Sequence, residues 1–256
     1  MSDAPQPEFR RPTREDRLRQ RERPRRGAAM HQSWSSLLFA HWRVEPDRIQ
    51  RTLPRGLYVD KFDGSAYVGV VPFFMQKVRP WWSPCLPWFS NFLELNVRTY
   101  VHDAAGTPGV WFYSLDCDQP LAVWGARTFY HLPYRHAVMS APQTGEATSY
   151  HSQVKRTDLR CDVHYELGCE TREAVAGSLD FFLVERYFLF AAARDGRLFI
   201  GQVYHRPYPL VATTVADWRS NLLAPHDFGI DESQPQLLHG SRGVDVEVFS
   251  LQSAET

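Results

Sequence analysis

Dipeptides that close tight hairpins recur between segments of alternating apolar and polar residues, and this pattern restricts the fold more than any other feature. Asp63-Gly64 separates residues 57–62 from 66–74, Gly106 and Gly109 turn 91–102 into 110–115, and Asp195-Gly196 separates 188–192 from 198–204. Such dipeptides tolerate the positive φ that two-residue strand connections require. Further strand patterns cover 34–42, 136–140, 149–155, 161–167, 208–215 and 244–251. Helical signals are short: one opens at Glu45-Pro46-Asp47, one spans 120–130 with Asp118 available as its cap, and 178–185 reads as a helical turn. Hairpins recur, β-α-β alternation does not, and no unit repeats. The pattern therefore predicts a mainly β (α+β) chain whose antiparallel sheets close on themselves, with a few short helices.

Aromatics make up 14% of the residues and eight are tryptophans, which favours strands and large apolar pockets. Charge is unevenly spread. Residues 1–29 hold nine arginines against five acids, four prolines, and only Phe9 and Leu18 as large apolar side chains, a composition that predicts a disordered tail. Residues 30–256 then form one domain with twenty basic and twenty-four acidic residues, and a net charge of −4 does not suit a nucleic-acid binder. Arg10-Arg11 has no apolar stretch behind it, so secretion is not expected. The most apolar run, 181–193, carries Glu185 and Arg186 at its middle, so no membrane span is expected either, and the expected location is cytoplasmic.

Several catalytic classes lack their signatures. There is no G-x-S-x-G elbow, phosphate loop or dinucleotide fingerprint, and the sequence implies no cofactor. Cys85, Cys117, Cys161 and Cys169 show no C-x-x-C spacing, and His131 and His136 stand five apart, so no metal site is expected. On residues 91–102, alternation sets Phe92, Glu94, Asn96 and Arg98 on one face and Leu93, Leu95, Val97 and Thr99 on the other.

Three longer motifs, NFLELNVRTYV at 91–101, GARTFYHLPYRHA at 125–137 and GSLDFFLVERYFLFA at 177–191, resemble the YqjF-like family of uncharacterised conserved proteins over residues 30–251. That family in turn looks related to acetoacetate decarboxylase, which implies a barrel or cone of antiparallel sheets around a buried small-acid pocket. In the decarboxylase a G-R-E segment is followed by proline and two adjacent lysines, the first of which forms a Schiff base. Here the frame reads Gly125, Ala126, Arg127, then Pro133, Tyr134 and Arg135, so both lysines are replaced. The match of NFLELNV implies that Glu94 stands for the decarboxylase's active-site glutamate.

Imine formation needs a neutral primary amine, and the handful of lysines here is Lys61, Lys77 and Lys155. Lys77, which follows an apolar run, is the one to examine. Without an amine, Arg127 and Arg135 remain candidates to grip a carboxylate, with Arg186 as a further binding residue. Tyr134 is a candidate donor to a carbonyl or enolate oxygen, and Glu94 a candidate proton carrier. If Tyr134 and Arg135 continue one strand, only one of them reaches the pocket.

Structural readings stand beside each of these roles. Glu94 fits a solvated or salt-bridged face, Arg127 and Arg135 fit partners of Asp116 and Asp118, and Glu185-Arg186 fits a buried pair. His205 and His239 fit core or rim positions, and Trp81, Trp82 and Trp88 fit core or a pocket lid. Two functions compete: an enzyme acting on a small organic acid or carbonyl compound by non-covalent acid-base catalysis, of lyase or hydrolase type, and a non-catalytic module binding the same ligands. A scaffold that recruits a partner through its Arg-rich tail ranks below both, and a homo-oligomer is compatible with any of them.

Overall fold

The alternating segments do form strands. The structure, a computed structural model, describes residues 9–86 and 89–254. In chain order its elements are α1 (Arg14–Arg19), β1 (Met30–Val44), α2 (Pro46–Gln50), β2 (Tyr58–Val59), β3 (Ala66–Pro80), β4 (Phe92–His102), β5 (Pro108–Cys117), α3 (Pro120–Phe129), β6 (Tyr134–Ser140), β7 (Gln143–Thr144), β8 (Ala147–Val154), β9 (Arg160–Arg172), α4 (Leu179–Val184), β10 (Phe188–Ala192), β11 (Leu198–His205), β12 (Leu210–Ser220), β13 (Leu237–Val248) and β14 (Gln252–Ser253). None of the described helices is long and apolar enough to cross a membrane.

Strand pairing closes two rings that share a wall. One runs β5-β6-β8-β9-β12-β13-β1-β3-β4 and returns to β5; the other leaves β5 through β10 and β11 and rejoins at β13. The rings share β13, β1, β3, β4 and β5, and the middle three of these, β1, β3 and β4, are therefore covered on both faces. Leu38, Ala40, Val68, Val70, Leu95 and Val97 point into a core completed by Tyr150, Val163 and Trp218 of the first ring. The opposite faces carry Leu37, Phe39, Val71 and Phe73 toward the second ring, where α4 adds Phe181 and Phe182.

The structure refines several sequence expectations. Not all pairings are antiparallel: β5 runs parallel to both β6 and β10. At Asp63-Gly64, where φ is 46° and 79°, Phe62 and Ser65 do close a tight turn, but β2 pairs with Val101 and His102 of β4 and not with β3. A four-stranded neighbourhood is thereby more non-local than a hairpin reading allows. Helix α3 is capped by Gln119, which accepts from the Leu121 amide; Asp118 instead accepts from the Leu93 amide and ties α3 to β4. Trp81 and Trp82 are 67% and 71% exposed, so neither belongs to the core; Trp88 lies outside the described residues.

The largest departure concerns the arginine-rich N-terminus. Residues 1–8 lie outside the described ones, but 9–29 are not a detached tail. Thr13 and Asp16 form a reciprocal capping box that starts α1, and Arg10 donates to both Asp16 oxygens. Arg17 donates to both oxygens of Asp60 at 2.7 Å, and Arg186 donates to the same carboxylate at 2.9 Å. Burial alone would raise the Asp60 pKa, yet Arg186 and Arg17 more than offset it and hold the carboxyl below its ordinary value. Further along, Arg23 pairs with Glu247 and Arg26 stacks over Phe249. Arg17, Arg23 and Arg26, which composition assigns to solvent, here meet specific acids and rings of the body.

Asp60→Ala should strand two arginines in a dry site, at a cost of about 3–5 kcal/mol. Urea unfolding should show a lower midpoint, and trypsin should cut faster between Arg17 and Arg26. An unchanged midpoint would mean that the ion cluster does not hold this segment.

Candidate functional site

A cavity of about 290 Å³ lies inside the second ring, walled by β1, β3, β4, β5, β10 and α4 and covered at one end by α3. Its lining is dominated by apolar side chains, among them Phe39, Phe73, Phe92, Phe112 and Leu189. The polar groups come chiefly from one strand. Alternation along β4 carries Phe92, Glu94, Asn96 and Arg98 to the cavity, while Leu95 and Val97 fill the core behind. The solvated-face reading of Glu94 is thus excluded. Wider depressions elsewhere, such as one beside Lys155, Asp158 and Asn221, are open to solvent.

Glu94 is 3% exposed and its Oε2 accepts a 2.7 Å hydrogen bond from the Tyr134 hydroxyl. Burial raises its pKa to about 7; the bond from Tyr134 opposes the rise and nearby Asp116 adds to it. The Tyr134 hydroxyl is itself deeply buried, and burial with the adjacent Glu94 pushes its pKa well above the ordinary value. The phenol therefore remains a neutral donor. From the other side of the wall, the Tyr150 hydroxyl donates to the Glu94 carbonyl oxygen at 2.8 Å and fixes this point of β4.

Of the five residues singled out in sequence, the cavity gathers three. Glu94 and Tyr134 meet, and Arg186 reaches the lining, though its Nη1 is committed to Asp60 and its Nε to the Phe182 carbonyl. Arg135 does not reach it. As Tyr134 and Arg135 continue into β6 their side chains part, and Arg135 grips both oxygens of fully buried Asp116 at 2.6 and 3.0 Å. Arg127 is exposed and donates to the Tyr134 carbonyl at 2.6 Å, so it braces the backbone and not a ligand. Lys61, Lys77 and Lys155 are all exposed, and none lines the cavity. His205 is buried between Tyr187 and Tyr208, and burial lowers its pKa to about 4. Among the described residues no cluster of His, Cys, Asp or Glu is placed to hold a metal ion.

Sequence comparison decides the family: that of uncharacterized conserved proteins known as DUF2071 matches residues 31–245. The chain belongs to the DUF2071 family. It is 36% identical over 224 residues to the uncharacterized protein YqjF of Bacillus subtilis, covering 87% of this chain and 91% of that one. Among solved structures, it resembles an acetoacetate decarboxylase-like enzyme from Sphingomonas wittichii at a TM-score of 0.62 and 14% identity, over 90% of this chain and 95% of that one. The enduracididine biosynthesis enzyme MppR bound to pyruvate superposes at 0.60 with 15% identity, over 90% and 91% of the two chains. Acetoacetate decarboxylase of Legionella pneumophila gives 0.58 at 13%, over 91% and 92%. These likenesses establish an acetoacetate-decarboxylase-like fold for this DUF2071 chain.

Two lining residues escaped the sequence reading. Arg98 is 8% exposed, lies over the Phe39 and Tyr100 rings, and makes a single long hydrogen bond, 3.3 Å to the Leu183 carbonyl, leaving its Nε unpartnered. Asn96, two residues before it, leaves its side-chain oxygen unpartnered. The signal was present, since both share a face with Glu94; what the sequence lacked was the fact that this face looks into a cavity.

Glu94 also sets a pH dependence. Between about 4.5 and 7 the folded state retains a proton that the unfolded chain has released, so this site's contribution to stability falls as pH rises across that window. The full loss is about 3 kcal/mol. Glu94→Gln, which can still accept from Tyr134, should flatten the decline, measured as the difference in unfolding free energy between the two proteins from acid to mildly alkaline pH. Parallel curves would place the Glu94 pKa near its ordinary value.

Proposed function

We propose that the cavity binds a small organic acid or carbonyl compound, and that Glu94 and Tyr134 transfer a proton on it without a covalent imine. The observation that carries this reading is the Glu94–Tyr134 pair, 2.7 Å apart in a mostly apolar cavity. A carboxyl whose pKa lies at about 7 is present in both protonation states near neutrality, which suits it to take up and return a proton. A buried neutral phenol suits a developing enolate or alkoxide oxygen, to which its single O–H can turn once Glu94 has taken up the proton and no longer accepts from it.

The missing amine supports the non-covalent part. By resemblance, Tyr134 and Arg135 occupy the frame where the decarboxylase keeps its adjacent lysines, and neither a phenol nor a guanidinium forms an imine. All three lysines of the chain face solvent. The MppR structures, of the same fold, are complexed with pyruvate and with the condensation product of pyruvate and imidazole 4-carboxaldehyde, which supports a small-acid ligand here. A second reading, a binding module without turnover, is favoured by the same loss of the amine and by the apolar character of the lining.

Borohydride treatment of the protein with acetoacetate should leave its mass unchanged; a trapped adduct would overturn the non-covalent mechanism. In D₂O, exchange of the carbon-bound protons next to the carbonyl of pyruvate or 4-oxopentanoate should be accelerated, rising with pH through about 7 as Glu94 ionises. Glu94→Gln should lower the rate by about 10²–10⁴-fold. Ligand binding without exchange in the wild-type protein would select the binding module.

A further inference from the structure

The polar groups of the cavity are spread along β4, and their spacing constrains what can touch all of them. Glu94 and Arg98 are four residues apart on one face of an extended strand, which separates their Cα atoms by about 13 Å. Glu94 sits with Tyr134 at the end covered by α3, where Arg127 ties the helix to the start of β6. Arg98 sits at the opposite end, beside Phe39, Tyr100 and the Leu183 carbonyl of α4.

Arg98 is the unusual member. A guanidinium removed from water costs several kcal/mol unless an anion or several acceptors replace the lost hydration. Arg186, its neighbour across Tyr100, has Asp60. Arg98 forms no ion pair among the described residues, has one carbonyl at 3.3 Å, and leaves Nε unpartnered. A side chain with these unmet needs, more than nine-tenths buried in the wall of a cavity, fits a carboxylate. The rest of the lining is mostly apolar, its further polar side chains including the amide of Asn96 and those of Gln32, Tyr130, Arg186 and Tyr208. A volume of about 290 Å³ accommodates on the order of ten non-hydrogen atoms, taking about 30 Å³ as the share of one water molecule in the liquid.

We propose that the ligand is an elongated, two-ended oxo acid whose carboxylate is held by Arg98 and whose second oxygen, a ketone or hydroxyl several carbons away, meets Tyr134 and Glu94. This rests on the reading of the cavity as a site for an organic acid or carbonyl compound, and it adds a length requirement and a specificity-determining residue. Two-carbon and three-carbon spacings of the pyruvate and acetoacetate kind engage one end only. The intervening methylenes or ring lie against Phe73, Phe112 and Leu189, where each buried methylene adds about 0.8 kcal/mol.

Calorimetric titration of the full chain tests this with 7-oxooctanoate, octanoate, octan-2-one and acetoacetate as probes. The wild-type protein should bind 7-oxooctanoate at least tenfold more tightly than octanoate or acetoacetate. Arg98→Met should weaken both long acids tenfold or more and leave octan-2-one unaffected, whereas Tyr134→Phe should abolish the advantage of 7-oxooctanoate over octanoate. Acetoacetate binding as tightly as 7-oxooctanoate, with that binding lost in Tyr134→Phe, would overturn the two-ended ligand while keeping the acid-binding cavity. Undiminished binding of the long acids by Arg98→Met would overturn the role of Arg98. Failure of every probe to bind would overturn both readings. Should Arg98→Met not fold, the ranking of the four probes on the wild-type protein decides the matter by itself.

Discussion

A wall shared by two closed rings is the constraint from which the rest of this structure follows. Because β1, β3 and β4 are covered on both faces along their middle stretches, the residues there meet little bulk water on either side. Backbone groups are satisfied by the ladders, but any polar side chain placed on the wall must find a partner inside the protein. The first ring solves this by carrying almost none: Leu95, Val97, Val68 and Val70 close a packed core. The second ring carries Glu94, Asn96 and Arg98 on the same strand, and its interior is left partly unfilled. One sheet thus gives a rigid back and a reactive front, and the packed face holds the chemical face in register.

Ionisable groups survive burial here in different ways. Asp60 is held charged between two arginines, and Asp116 accepts a two-point bond from Arg135. Glu94 has no cationic partner among the described residues; burial raises its pKa to about 7, so that near neutrality it is present in both protonation states. Arg98 has no such relief, since no acid pairs with it among the described residues and its Nε has no partner. The Asp116–Arg135 pair is complete as it stands, whereas beside Asp60 the Arg186 Nη2 has no partner. Glu94 and Arg98 also lack an opposite charge among the described residues, and both lie on the cavity face of β4.

The alternation of NFLELNVRTYV was legible because a strand period of two needs no knowledge of the rest of the chain, and β4 starts within one residue of the segment read from it. The parting of Tyr134 and Arg135 was legible as a choice between them. What decided it was the parallel pairing of β6 with β5, which sets Tyr134 opposite Leu115 and Arg135 opposite Asp116, a contact that no local pattern encodes. The place of β2 beside β4 was hidden for the same reason. Composition misled at the N-terminus: it weighs arginines as a class, whereas Arg17 is held by one particular carboxylate 43 residues away and Arg23 by another 224 residues away.

That N-terminal anchoring also bears on the cavity. Residues 9–29 precede the stretch matched by the family, yet the Asp60 carboxylate that receives Arg17 also receives Arg186, whose guanidinium lies over Phe182 and Tyr100 at the cavity wall. One carboxylate facing two guanidinium groups leaves the cluster with a net positive charge in a largely buried place. Tyr100 links this cluster to Arg98, since its ring contacts both arginines and its hydroxyl donates to the Leu183 carbonyl that Arg98 also uses. The deep end of the cavity is therefore electropositive for two independent reasons: a guanidinium in the wall that no acid pairs among the described residues, and an over-compensated carboxylate behind it. An anion lowers the energy of such a site wherever its source, whereas a neutral ligand leaves that charge uncompensated.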